Sequence, residues 1–496
     1  MVKSPSGPWL PDFPSRGQED LPLYVGIYRT LREAILSGGL PPGRRLPSSR
    51  TLAQDLGVSR TTAEEALAKL EGEGFVVRRT GSGSYVSERL PDAFAVPKAQ
   101  PRPRRPELGG PRLSARGQTL LGIRGSVDSP SIRAFAAGQP APDAFPFDLW
   151  HKLLVRRSRA EGPSLLGYGE AQGYLPLRQA ISEYLTASRG VICVPDQVIV
   201  LSSTQQALDL TAKLVIDPGD QAWIEDPGYP GAKATLLSAG ADLVPIPVDD
   251  HGLDVALAIA QAPNARLAYL TPNHQYPMGP ALSLERRLMV LAWARRRGAW
   301  IIEDDYDSEF RYEGRPLAAL QGLEAEAPVV YVGTFTKPMF PSLRLAYAVA
   351  PPNLVKALTH ARTLQDGHPA LLSQAVMTDF LNEGHFHTHL RRMKALYQGR
   401  REVLMEAMAP LREYGLRVGE GGGLHLTVHL EEGSDQVVSR RAAQTGLILQ
   451  PLSTLSLRPD PPQGFVLGYA ALEPRRIQEG IARLRGLLQG KSRTRR

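Results

Sequence analysis

The sequence predicts a multidomain protein: an N-terminal winged helix-turn-helix, then a larger α/β domain that ends in a smaller α+β lobe. Three observations predict it. Residues 20–87 carry helical patterns followed by a glycine-tipped hairpin pattern. Residues 88–128 lose periodicity in a run of Pro, Arg and Gly. From about residue 129 onward strand and helix patterns alternate. With 496 residues, 42% of them hydrophobic and 22% charged, the chain has length for two or three domains and can bury a large core.

In the head, Leu23 to Leu36 places Ile27, Leu31, Ala34 and Ile35 on one helical face, and Gly38-Gly39-Leu40-Pro41-Pro42-Gly43 ends it. Ser48 to Leu56 reads as a short capped helix, Gly57-Val58-Ser59 as a tight turn, and Arg60 to Gly72 as a second helix with Ala63, Ala66, Leu67 and Leu70 inward. Phe75–Arg79, Thr80–Gly83 and Ser84–Ser87 form a β-hairpin pattern. Residues 88–128 are expected to be a flexible linker, and residues 489–496 a basic tail. Much of the formal charge of +8 lies in those two stretches, so it permits a polyanionic partner without requiring one.

In residues 129–488 the expected strands are Gln197–Leu201, Gln221–Ile224, Leu267–Leu270, Ala299–Ile302 and Val329–Val332, with helices at Gln205–Val215 and Leu284–Arg297. That alternation argues a largely parallel sheet. A smaller lobe is expected over about 385–488, with strands near Leu424–Leu430 and Phe465–Tyr469 and a helix at Arg475–Leu488. Cys193 is the single cysteine, which excludes an intrachain disulfide and fits a reducing cytosol. The N-terminus has no signal-peptide h-region, and no apolar run nears the ~18 residues of a membrane span. A cytoplasmic protein with no membrane partner is expected.

The head pattern points to double-stranded DNA. A second helix of a helix-turn-helix enters the major groove with its N-terminal residues, here Ser59, Arg60, Thr61 and Thr62. Arg45, Arg50 and Arg79 are placed for flanking phosphates. Ten Lys or Arg against eight Asp or Glu over residues 20–90 leave a net of only +2, so pattern rather than charge carries the reading. Leu46-Pro-Ser-Ser-Arg50-Thr-Leu-Ala-Gln-Asp-Leu-Gly-Val-Ser-Arg60-Thr-Thr resembles the signature of the GntR family over roughly 65 residues. The resemblance implies DNA contacts at Arg50, Ser59, Arg60, Thr61 and Thr62 and at the wing around Gly81. Glu64 stands where many members of that family carry a base-contacting arginine, so the operator does not transfer.

The second constellation centres on Val330-Tyr-Val-Gly-Thr-Phe-Thr-Lys337. A lysine at a strand exit, stripped of its proton by burial, is a Schiff-base nucleophile, and pyridoxal 5′-phosphate (PLP) is the usual aldehyde. PLP needs a buried carboxylate at its pyridine nitrogen, for which Asp304 at the end of Ile301-Ile302-Glu303-Asp304-Asp305 is the choice, with Tyr306 for the phenolic oxygen. Its phosphate needs a helix start. Leu201-Ser202-Ser203-Thr204-Gln205 offers one, with Thr204 and Gln205 as donors and Arg344 and Thr334 or Thr336 completing the cup. Tyr229, in Asp226-Pro-Gly-Tyr229, is the candidate to stack on the ring. No metal is expected.

Together these elements resemble fold-type I aminotransferases over residues ~129–488. Tyr168-Gly169 with Gly173-Tyr-Leu-Pro-Leu-Arg178 matches as well, and implies an obligate homodimer in which Tyr168 reaches the neighbouring subunit's phosphate. Joined to the GntR-like head, the whole chain resembles the MocR subfamily of regulators, in which a His-Gln-aromatic-Pro element like His274-Gln275-Tyr276-Pro277 is typical. By the same resemblance Val466 stands where an aminotransferase carries its carboxylate-binding arginine, and Arg458 is an alternative from the preceding loop. The expectation is a PLP-responsive transcriptional regulator of vitamin B6 or amino-acid metabolism genes, PdxR-like rather than GabR-like, sensing PLP itself rather than PLP plus an amino compound. An active PLP-dependent aminotransferase and a bare dimerisation scaffold are the competing readings.

Overall fold

The computed structural model describes residues 22–79, 81–89, 113–122, 134–312, 317–419 and 421–492. They fall in two compact units that part between residues 112 and 113. Among the described residues no helix is long and apolar enough to cross a membrane.

The first unit is the winged helix-turn-helix. α1 (Leu23–Leu36) buries Ile27, Leu31, Ala34 and Ile35, the face its periodicity marks. α2 (Ser49–Leu56) starts where the Ser48 side chain accepts the Thr51 N–H, and stops at Gly57, whose φ of 63° suits a residue without Cβ. α3 (Arg60–Gly72) is capped by Ser59 in the same way and buries Ala63, Ala66, Leu67 and Leu70. β1 (Val76–Arg79) and β2 (Gly83–Val86) pair antiparallel, Val76 opposite Val86. Leu52, Leu70 and Phe75 are fully buried in the shared core. Truncating one such leucine to alanine removes about 2–5 kcal/mol.

The second unit opens with α4 (Ala115–Gly122), α5 (Phe147–Glu161) and α6 (Leu175–Arg189). β3 (Val198–Leu201), α7 (Thr204–Val215), β4 (Gln221–Asp226), α8 (Pro230–Ala239), β5 (Asp242–Asp249), β6 (Gly252–Leu253), α9 (Val255–Gln261) and β7 (Leu267–Leu270) follow. Then come α10 (Leu284–Arg297), β8 (Trp300–Asp305), β9 (Val329–Thr334), β10 (Ala346–Val349), α11 (Pro352–Asp366), α12 (Leu371–Asn382) and α13 (His385–Met408). The strands form one sheet in the order β3-β10-β9-β8-β7-β4-β5-β6. β5, β4, β7, β8 and β9 are mutually parallel, and β10 runs antiparallel to both its neighbours, β9 and β3. β3, β7 and β9 are buried at every position, as apolar strands covered on both faces must be. Trp223 and Trp293 stack at 3.7 Å on one side of the sheet, each indole N–H donating to a backbone carbonyl.

The smaller lobe adds β11 (Leu416–Val418), β12 (His425–Leu430), α14 (Asp435–Ala443), β13 (Gln450–Pro451), β14 (Gly464–Gly468) and α15 (Pro474–Ser492), with an antiparallel sheet in the order β11-β12-β14-β13. Three boundaries differ from the sequence reading. Ala115–Gly122 is helical inside the stretch expected to be linker, most of which lies outside the described residues. α15 runs through residues 489–492 of the expected tail, and the last four residues are outside the described set. The smaller lobe also recruits a distant segment: Ile448 N–H donates to Ala134 O at 2.9 Å and Gly468 N–H to Phe135 O at 3.0 Å. Phe135, fully buried, anchors that segment, which then leads to Gly138.

Candidate functional site

β8 and β9 are neighbours with Asp304 opposite Val332, so acids at the end of one strand and the lysine after the other leave the sheet at the same edge. Lys337 sits in the turn beyond β9, and its Nζ donates to the Gly138 carbonyl at 2.7 Å. Gly138 has φ +72°, and a Cβ there would lie 2.6 Å from that amine. Burial lowers the Lys337 pKa, and the charges of Asp307 and Asp304 oppose that drop.

Asp304 is 5% exposed. Its Oδ2 accepts the Tyr269 hydroxyl at 2.8 Å, while Oδ1 has no hydrogen-bond partner. Burial pushes the carboxyl up to about 7, against the Tyr269 hydrogen bond. Two other buried acids, Glu225 and Glu303, are likewise pushed up to about 7 by burial, yet both are satisfied. Glu225 accepts Thr271 N–H, the Thr271 hydroxyl and the Gln275 amide, and so shapes the 271–279 loop. Glu303 accepts the N–H groups of Leu320 and Gln321. Of these three acids only Asp304 has an oxygen without a partner, and that oxygen fits a cationic ring N–H.

Aromatic rings line the approach. Tyr276 meets Tyr229 edge-on at 6.0 Å, Tyr306 at 6.1 Å and His425 at 5.3 Å. The Tyr306 hydroxyl lies 3.0 Å from His274 Nδ1, which also lies 2.8 Å from Asp307 Oδ1. Asp307 is 1% exposed. His425 is held neutral, its pKa lowered to about 4 by burial and then by His274.

The register of β9, β10 and β3 gathers the expected phosphate donors. Thr334 pairs with Ala346 and Ala346 with Leu201, so Thr334, Arg344 and the start of α7 flank one sheet edge. Ser203 caps α7 by accepting the Gln206 N–H. The first-turn N–H groups of Thr204 and Gln205 have no intrahelical acceptor. Arg344 is exposed, with φ 54°. The Thr334 hydroxyl already accepts Thr336 N–H at 3.0 Å. One candidate is corrected: the Gln205 side chain turns to α8, donating to Gly231 O at 2.9 Å and to the Thr235 hydroxyl. Only its backbone N–H stays available at the helix start. Tyr168 is fully exposed, its ring edge-on to His368 at 5.8 Å.

Val466 is fully buried in an apolar group with Leu452 and Leu455, against which Ala137 and Tyr276 pack. Arg458 lies 3.2 Å from fully buried Asp226. Gly138, Tyr269, Asp307 and His425 escaped sequence reasoning. Gly138 and His425 come from far along the chain, and only the acid-rich run after Ile302 held a signal, for Asp307.

In the head, Arg45, Arg50, Arg60, Thr61, Arg79 and Gly81 are exposed. The Ser59 hydroxyl accepts Thr62 N–H at 3.1 Å and lies 2.8 Å from the Thr62 hydroxyl, so these two are partly engaged in capping α3.

Comparison with known proteins matches both parts. Residues 134–484 match the family "Aminotransferase class I and II", whose fold is PLP-dependent, and residues 23–86 match "Bacterial regulatory proteins, gntR family". The chain is 42% identical over 468 residues to a probable rhizopine catabolism regulatory protein, MocR, of Rhizobium meliloti, covering 94% of each. It is 30% identical to the pyridoxine biosynthesis transcriptional regulator PdxR of Corynebacterium glutamicum, covering 89% of this chain and 90% of that one. A multiple substrate aminotransferase from Thermococcus profundus superimposes with a TM-score of 0.69 at 26% identity, over 77% of this chain and 98% of its own. A gntR-type DNA-binding head on an aminotransferase-fold domain, shared end to end with such relatives, places this chain in the MocR subfamily of GntR-family transcriptional regulators.

Proposed function

We propose that this regulator responds to PLP held on Lys337. The observation that carries the reading is the Lys337 amine, fixed by Gly138 O, beside a buried Asp304 whose Oδ1 has no partner. Asp304 Oδ1 would accept the ring N–H, Tyr306 with His274 would meet the phenolic oxygen, and Tyr229 would cover a face. Thr204, the Gln205 backbone, Thr334 and Arg344 would hold the phosphate. When bound, PLP supplies an aldehyde carbon that a lysine amine can attack. Exposed Tyr168 supports a homodimer in which it reaches the neighbouring subunit's cofactor. The exposed arginines and hydroxyls of the head, Arg45, Arg50, Ser59, Arg60, Thr61 and Arg79, with half-buried Thr62 and with Gly81 at the wing tip, support contact with an operator. Fully buried Val466 argues against a carboxylate clamp, and so for PLP itself as the effector and for target genes in vitamin B6 or amino-acid metabolism. A cytoplasmic setting goes with that role.

The test is an absorbance spectrum with and without PLP, followed by borohydride reduction and peptide mapping, then DNA binding in both states. A reducible visible band fixed to Lys337 and a PLP-dependent change in DNA affinity are expected. Absence of the band would end the reading. Conversion of bound PLP to its amine form by an amino acid would instead favour an active aminotransferase.

A further inference from the structure

Two adjacent glutamates on the recognition helix have different surroundings. At ~100° per residue, the side of α3 opposite buried Ala63, Ala66, Leu67 and Leu70 is the stripe Thr61, Glu65, Ala68 and Gly72. All four are exposed. Glu64 lies on the flank instead. There Arg78 of the wing bonds to it, and the same guanidinium reaches Glu71 at 3.0 Å. Glu64 therefore joins α3 to the wing, and its charge is met inside the domain. No hydrogen bond or ion pair among the described residues holds Glu65.

We propose that Glu65 determines operator specificity: its carboxylate, one turn beyond Thr61, accepts a hydrogen bond from a cytosine amino group in the major groove, so the head requires a C·G pair there. The inference rests on the reading that α3 enters the groove. In that setting an outward carboxylate faces phosphates and the acceptor atoms of guanine and thymine, all of which repel it. Cytosine N4 is a donor with no acceptor on the same base in the major groove. Adenine presents N6 next to the acceptor N7, which suits a glutamine amide and disfavours a carboxylate. Ala68 and Gly72 carry no polar group, which leaves Thr61 and Glu65 to read bases along that stripe.

The test selects binding sites from a randomised duplex library with the full-length protein, comparing wild type with Glu65→Gln and Glu64→Gln, each first shown by thermal melting to be folded. We expect a wild-type motif containing a cytosine whose preference drops about ten- to hundredfold in Glu65→Gln, with adenine gaining at that one pair. Glu64→Gln should keep the motif. If wild type and Glu65→Gln select the same motif with the same preferences, the inference falls while the groove reading stands. If wild type enriches no sequence at all, the groove reading falls and takes the inference with it.

Discussion

Replacing Gly138 by alanine tests whether this backbone positions the lysine. The added Cβ would lie 2.6 Å from Lys337 Nζ, and ordinary contact begins at 3.4 Å, so the amine must retreat by about 0.8 Å. It would lose a hydrogen bond to the Gly138 carbonyl, worth about 0.5–1.5 kcal/mol. The backbone at φ +72° adds about 1–2 kcal/mol of strain for a residue with Cβ. A misplacement near 1 Å slows an attack up to ~10²-fold. Borohydride fixation of PLP on Lys337, followed by mass spectrometry, should therefore slow about ten- to hundredfold. Chemical denaturation should show a loss of about 1.5–3.5 kcal/mol. Fixation at the wild-type rate, with only stability lowered, would refute the claim that Gly138 positions the amine.

Lys337→Ala should abolish the reducible band and any PLP effect on DNA affinity, read by anisotropy of a labelled promoter duplex; a surviving PLP effect would place the sensor elsewhere. For Asp304 the folded pKa of about 7 exceeds the unfolded 3.8, so this group's contribution to stability is full below about pH 4 and lost as pH rises through 7. Between those values PLP-free wild type should lose up to about 4 kcal/mol relative to Asp304→Asn, a difference seen by comparing denaturation midpoints from pH 4 to 8. A pH-independent difference would count against that environment. His274→Ala strips buried Asp307 of its donor and should cost about 2–3 kcal/mol, while adding Asp307→Asn should recover at least half in a double-mutant cycle.

How legible the site was depended on how local its signal is. Asp304 and Lys337 stood out because polar residues ended two strongly apolar strands, and those strands proved to be neighbours. The start of α7 was readable from hydroxyl residues between a strand and a helix, but the direction of the Gln205 side chain was not, since Gly231 and Thr235 lie on another helix. β10 went unread because Ala346–Val349 is uniformly apolar and followed the lysine turn without a break signal of its own. Gly138 acts through a carbonyl and the lack of a Cβ, neither of which residue chemistry announces. In the head the three helices were legible to within a residue, whereas the different surroundings of Glu64 and Glu65 depend on Arg78 arriving from the wing.

The buried acids separate architecture from function. Glu225 and Glu303 are as deeply buried as Asp304 and pushed to similar pKa values, yet each accepts two or more donors from the protein. Asp304 keeps an oxygen with none, a deficit of about 1–3 kcal/mol that a scaffold would shed by substituting an apolar residue. A cationic partner offsets it, and the adjacent Lys337 would tether such a partner. By the resemblance, Val466, buried with Leu452 and Leu455, stands where an aminotransferase carries its carboxylate-binding arginine. A domain that held the cofactor but not an amino-acid substrate would gain nothing from turnover. It can gain regulation if PLP binds one arrangement of the protein more tightly than another, and about 1.4 kcal/mol of such preference already shifts the equilibrium between them tenfold.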